Sequence, residues 1–270
     1  MIATLPDRSL TVMADGEPFP FSGRMRLRGE DELSLFPALF TLELWNLPEE
    51  YALRLFRCRR ISVSHGDACL VSGAVPDVFR HPEKEGVVTT VAISLGLDLW
   101  ESLVSLTVPT GTSLPETARR ILSASGTGIR LLGVGDGSSR PIVLPRAQSF
   151  FGRASECIAT VLTCHSDRSE SPPRAMLTPS GLMIVPAGGL PEAVRITETD
   201  LTDAPVFAGG ALHGSPSLMI LSAAVSGWRP GQTVEVDYPD VHARGIITER
   251  GVDADTASGP WKSEMIVELV

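Results

Sequence analysis

Positive charge is scarce in this chain: 23 lysines and arginines stand against 32 aspartates and glutamates, a formal net charge of −9 over 270 residues. A protein that grips nucleic acid needs clustered cations, and no such footprint exists here. DNA could still pass nearby, because a wall without positive charge would neither hold nor slow a polyanion. Long apolar runs are also missing. No stretch approaches the length of a bilayer span, and the opening residues, MIATLPDRSLTV, lack a basic segment followed by an apolar one. The expectation is synthesis and folding in the cytoplasm, without membrane insertion. Cysteine is sparse: Cys58, Cys69, Cys157 and Cys164 include no Cys-x-x-Cys pair, and four are few for a disulfide-stapled chain of this size. Buried free thiols are expected.

Catalytic signatures are absent too. There is no Gly-x-Ser-x-Gly elbow and no His-Glu-x-x-His, and the five histidines (65, 81, 165, 213 and 242) show no metal-ligand spacing. His165 beside Asp167 reads as a surface group at a helix end. The glycine-rich Gly133–Gly137 puts Ser138 where a dinucleotide fingerprint needs its last glycine, and no helix opens after it. Asp253, Asp255 and Glu264 occupy positions one, three and twelve of a calcium-loop register. Ala257 and Ser258 fill the fifth-ligand and glycine positions, however, and Pro260 and Trp261 interrupt the loop, so solvated turn carboxylates are expected. No catalytic, cofactor-binding or metal-binding residue is assigned.

What is present is ordinary globular material, 43% hydrophobic and 20% charged, in a chain too long for one comfortable core. The first hundred residues read as mostly β. Leu10 and Val12 alternate with polar neighbours before Asp15-Gly16. In FTLELW, Phe40, Leu42 and Leu44 share one face and Thr41, Glu43 and Trp45 the other. Pro48, Glu49 and Glu50 open a short helix with Leu47, Tyr51 and Leu55 on one side. A hairpin follows around His65-Gly66-Asp67, then a strand carrying Val91, Ile93 and Leu95.

The composition changes near Val108. Ser113 with Glu116 forms a capping box for a helix that Gly126 stops. The segment SFFGRASECIATVLTCHS spaces Phe150, Phe151, Ala154, Cys157, Ile158, Val161 and Leu162 as an amphipathic helix. Cys157 and Cys164 fall on one face of it, about 10 Å apart, too far for a disulfide. AMLTPSGLMIV reads as a hairpin, and β signal returns from Arg195 onward. The predicted fold class is α+β, mainly β: a small barrel over residues 1–106, an α/β module over 107–194, and a second small barrel over 195–270. Outward faces of such barrels must meet water or neighbours. Trp45, Glu43, Trp228 and Arg229 are the candidate intersubunit residues, with corner packing as the plainer use of the tryptophans.

FTLELWNLPEE, ISVSHGDACLVSGAVPDVFR and VVTTVAISLGLDLW resemble the N-terminal barrel of baseplate hub proteins from contractile-tailed phages and prophages. TVPTGTSLPETARRIL and PSGLMIV are similar to that family's intermediate module. WRPGQTVEV, GIITERGVD and GPWKSEMIVEL are similar to its second barrel, with an Arg-Pro-Gly corner and a late Trp-x-Ser strand. The resemblance implies a non-enzymatic structural protein of the virion tail baseplate. It would be a homotrimer whose paired barrels form a pseudo-sixfold ring joining a tail tube protein to a central spike protein. The alternatives are a tail-associated hydrolase acting on cell-wall carbohydrate or peptide, which requires a concave pocket with convergent acids, and a stand-alone ligand-binding barrel.

Overall fold

A computed structural model describes residues 8–134, 143–164, 173–186, 189–190, 192–208, 216–222 and 227–270. Strand makes up 54% and helix 16% of it, so the molecule is α+β and mainly β. His165, Asp167, His213 and most of the glycine-rich run at 133–137 lie outside the described residues.

The first part contains β1 (Thr11–Ala14), β2 (Glu17–Pro18), β3 (Met25–Glu32), β4 (Ala38–Trp45), α1 (Glu49–Leu55), β5 (Arg60–His65), β6 (Ala68–Glu83) and β7 (Gly86–Leu95). The middle contains α2 (Leu97–Glu101), β8 (Leu103–Val108), α3 (Leu114–Ser125), β9 (Leu131–Val134), β10 (Gln148–Arg153), α4 (Ala154–Cys164), β11 (Arg174–Thr178) and β12 (Gly181–Val185). The last part contains β13 (Ala193–Thr197), β14 (Val206–Ala208), β15 (Ser217–Ser222), β16 (Thr233–Tyr238), β17 (Val241–Asp255) and β18 (Trp261–Leu269).

Periodicity accounts for most of this. Phe40, Leu42 and Leu44 are fully buried, and Leu47 and Leu55 bring α1 onto the same core. The Ser113 side chain caps α3 by accepting the Glu116 N–H at 3.4 Å, and Gly126 ends the helix in the left-handed region. The second predicted helix begins later than its aromatic spacing suggests. Residues 148–153 form β10, which pairs antiparallel with β8, and α4 starts only at Ala154. Phe150 is buried while Phe151 is 88% exposed, the alternation of a strand. Gly152, at φ +136°, supplies the break between the two elements. Of the four free thiols, Cys58 and Cys157 are buried, Cys69 is half-buried, and Cys164 is exposed at the end of α4, contrary to expectation.

Buried side chains gather into three clusters. One spans Leu10 to Ile93 and also takes in Val252, Ala254 and Trp261. A second lies in the α/β segment, from Leu95 to Ile184. The third runs from Ile196 to Val267. The end of β17 and the start of β18 thus complete the core of the first part.

The first and last parts repeat one another. Leaving out the two-residue β2, each has six strands, and the sheet orders β1-β5-β6-β7-β4-β3 and β13-β16-β17-β18-β15-β14 follow the same pattern in chain order, 1-4-5-6-3-2. The match extends to individual residues. Arg60 opposite Ala74 corresponds to Thr233 opposite Ile246, and Ala74 opposite Ser94 corresponds to Ile246 opposite Glu268. Both long strands then bulge at the same point, between Ala74 and Asp77 in β6 and between Ile247 and Glu249 in β17, and resume as Asp77 opposite Ala92 and Glu249 opposite Ile266. One pairing differs in sense, since β1 runs antiparallel to β5 whereas β13 runs parallel to β16. Among the described residues neither half closes on itself through hydrogen bonds.

Candidate assembly interface

The two halves meet where β3 pairs antiparallel with the second half of β17, from Glu249 opposite Glu32 to Asp255 opposite Arg26. The first half of β17 pairs on that same edge with β16. One continuous sheet therefore runs through both repeats.

Asp31 and Arg250 oppose each other on the core side of this seam. The guanidinium donates from Nε and Nη2 to the two carboxylate oxygens at 2.8 Å each, and donates further to the carbonyls of Leu70 at 3.0 Å and Trp228 at 3.2 Å. Arg250 is fully buried and the Asp31 side chain nearly so. A fork-to-fork pair, with two further donors spent on carbonyls, meets the condition for holding charge out of water.

The opposite face carries a row of ion pairs. Arg26 grips Asp253 through two bonds of 2.9 Å. Arg24 donates to Asp255 at 2.8 Å and also pairs with Glu85, and its guanidinium lies 4.2 Å from the centre of the Trp45 ring. Asp255 also accepts the Ala257 N–H at 2.8 Å. Burial pushes the Asp255 carboxyl up, but the Arg24 hydrogen bond, the Ala257 N–H and the charges of Arg24 and Arg26 outweigh it, so it stays below the usual aspartate range. Two of the three carboxylates predicted to be solvated in a turn are therefore paired: the Asp255 side chain is fully buried, and that of Asp253 is 24% exposed, while Glu264 lies in β18. The calcium-loop spacing arose from two strand residues whose partners lie over two hundred positions upstream.

All four candidate interface residues lie against this seam. Glu43 pairs with Arg28 on the outer face. Trp45, only 8% exposed, is covered by Arg24. Trp228 presents its carbonyl to Arg250, and the Arg229 guanidinium donates to the carbonyl of Cys69 in the β5–β6 hairpin. Burial, and then the neighbouring charge of Arg250, lower the Arg229 pKa below that of an ordinary arginine. Of the four, Arg229 reaches from the last part to the first, at Cys69, whereas Glu43, Trp45 and Trp228 contact Arg28, Arg24 and Arg250 of their own halves and buttress the seam from either side. Sequence reasoning missed the strand at the seam, β3. Its signal was present as Met25, Leu27, Gly29 and Asp31 alternating with Arg26, Arg28, Glu30 and Glu32, but glycine and aspartate occupy two of the inward positions.

Two clefts lie on the outer face of the sheet. One, of about 420 Å³, is bordered by Arg28, Glu30, Leu39, Asp253, Lys262 and Glu264. Its neighbour, of about 350 Å³, is bordered by Glu30, Glu32, Phe36, Glu249, Glu264 and Ile266. Among the described residues no group of three or more His, Cys, Asp or Glu is arranged to hold a metal ion, and no helix is long and apolar enough to cross a membrane.

Among the sheet edges unpaired in the described residues are the β5-side edge of β6 from Asp77 to Glu83 and the outer edge of β14. Phe79 is 48% exposed near the first, and Val206 and Phe207 are 51% and 61% exposed on the second.

No protein-family model and no curated protein sequence matches the chain. Solved structures do. A tail protein from Neisseria meningitidis superimposes with a TM-score of 0.66 at 11% identity, covering 96% of this chain and 95% of that one. The 43 kDa tail protein of prophage MuSo2 from Shewanella oneidensis gives 0.64 at 12% identity, covering 96% and 97%. An Escherichia coli component of the type VI secretion system, described as structurally similar to the bacteriophage T4 tail proteins gp27 and gp5, gives 0.63 at 10% identity, covering 96% and 76%. The chain therefore has the fold of phage and prophage tail proteins. The resemblance read from its motifs is borne out at the level of the fold.

Proposed function

We propose that this chain is a structural hub of a phage, prophage or related tail-like machine, acting without catalysis. Three copies would form a ring of six similar units that joins a tail tube protein above to a central spike protein below, in the baseplate of the assembled tail. The observation that carries this reading is the internal repeat. Two halves with the same strand order and matching registers are fastened edge to edge, and three such pairs would close a pseudo-sixfold sheet. The fold shared with tail proteins supports it. On this reading residues 1–106 and 195–270 are the ring-forming modules and 107–194 the module set against them.

The sheet face that bears Glu30, Glu43, Glu249, Asp253 and Glu264, with Arg26, Arg28 and Lys262 among them, would line the passage. Its acidic surplus suits a wall that DNA crosses without adhering. Carboxylates held by arginines on a β-sheet fit a scaffold better than a hydrolase. Light scattering of the purified protein across concentrations tests the proposal: the expected mass is three times the 28.8 kDa of the chain. A monomer throughout would overturn it.

A further inference from the structure

On the ring reading just given, we infer that adjacent copies join by pairing β14 of one chain with the second half of β6 of the next, in a register dictated by the seam within each chain. The repeat supplies the argument. β3 is the second strand of its half and β17 the fifth strand of the other, and they pair beyond the β17 bulge. The corresponding strands are β14 and β6. The part of β6 beyond its own bulge, Asp77 to Glu83, is the unpaired edge, and β14 ends the sheet at the other side. A heterologous contact that repeats the internal one closes a ring and covers both of these edges.

The register follows by carrying the equivalence across. Thr41 opposite Ala92 corresponds to Met219 opposite Ile266, and Arg28 opposite Thr41 corresponds to Val206 opposite Met219. Val206 thus stands for Arg28, and Phe207 for Gly29. Their partners in β17, Asp253 and Val252, correspond to His81 and Arg80. Val206 should therefore oppose His81 of the neighbouring copy, and Phe207 should oppose Arg80.

The hydrogen-bond phase agrees. The Asp255 N–H turns toward β18's side, bonding Pro260, and the Thr256 N–H turns toward the carbonyl of Met25 at the β3 end. Even-numbered residues of β17 therefore face β3, and Val78 and Arg80 face the open edge of β6 in the same way. Pro82 and Pro205 fall opposite each other, where neither can donate, so the ladder ends there and is shorter than the internal one. On the face that carries the internal ion pairs, this join sets the exposed apolar groups Val206 and Phe79 beside one another, while Phe207 lies on the other face opposite Arg80.

Disulfide trapping tests the register. A facing non-hydrogen-bonded antiparallel pair has Cα atoms about 4.5 Å apart, within the range of a disulfide, whereas a partner two residues along is about 7–8 Å away. In a Cys164→Ser background, chains carrying Val206→Cys mixed with chains carrying His81→Cys should cross-link on mild oxidation, as read by non-reducing electrophoresis. Val206→Cys mixed with Phe79→Cys should not. A trimer that fails to cross-link at 206 and 81, or that cross-links at 206 and 79 instead, overturns this register and leaves the ring standing. A protein that is monomeric at all concentrations overturns both. As a second measurement, Phe207→Arg should weaken trimer association about tenfold or more, because it sets a second cation directly opposite Arg80 of the neighbouring copy. The melting curve of the isolated chain should not change. Unaltered association would overturn the inference.

Discussion

Arg250 and Asp31 show how a charge pair can specify a join. Each alone is a buried charge without a partner, so Arg250→Ala or Asp31→Ala should cost roughly 3–5 kcal/mol of stability in urea denaturation. Replacing both with apolar residues of similar size, Arg250→Met with Asp31→Leu, should recover most of that loss. Asp255 contributes a pH dependence. Its carboxyl is held below its usual value of 3.8 in the fold, so between the folded value and 3.8 the unfolded chain binds more protons than the native one. The stabilisation is fully present above that window and is lost as pH falls through it. Asp255→Asn should flatten the acid limb of thermal stability measured from pH 6 downward, while lowering stability at pH 7.

The bulges govern which way the strands face. Side chains alternate with a period of two, so one extra residue reverses the face presented by everything beyond it. Deleting Thr248, the residue unpaired in the β17–β18 ladder, should turn Arg250 away from Asp31 and send Asp253 inward. Loss of cooperative unfolding or of soluble protein is expected, whereas Thr248→Ala should be tolerated. Sequence reading reached strands with apolar alternation, such as Phe40, Leu42 and Leu44, and the α3 helix through its Ser113 cap. It could not reach β3, whose inward positions hold Gly29 and Asp31 because a buried Arg250 requires an acid rather than an apolar residue. Nor could it separate β10 from α4, since Phe150 and Phe151 fit the helical spacing and only pairing with β8 decides otherwise. The four interface candidates were legible as residues that must meet something. That Arg229 meets Cys69 in the other half, 160 positions upstream, depends on a contact no local pattern announces.

At the scale of the assembled molecule, the acidic face should leave DNA unbound in a mobility-shift assay at low salt. Glu30→Lys, Glu249→Lys and Glu264→Lys combined should create retention that fades as salt rises. The two kinds of join would also differ in strength. Within a chain, arginine forks and a long ladder fasten the halves, whereas in the proposed join between chains the opposed prolines would shorten the ladder to a few residues and no such forks would form. A ring built this way comes apart at the joints between subunits while every subunit keeps its own fold. Reassembly is then a matter of collision and docking, with a rate set by concentration and no refolding step.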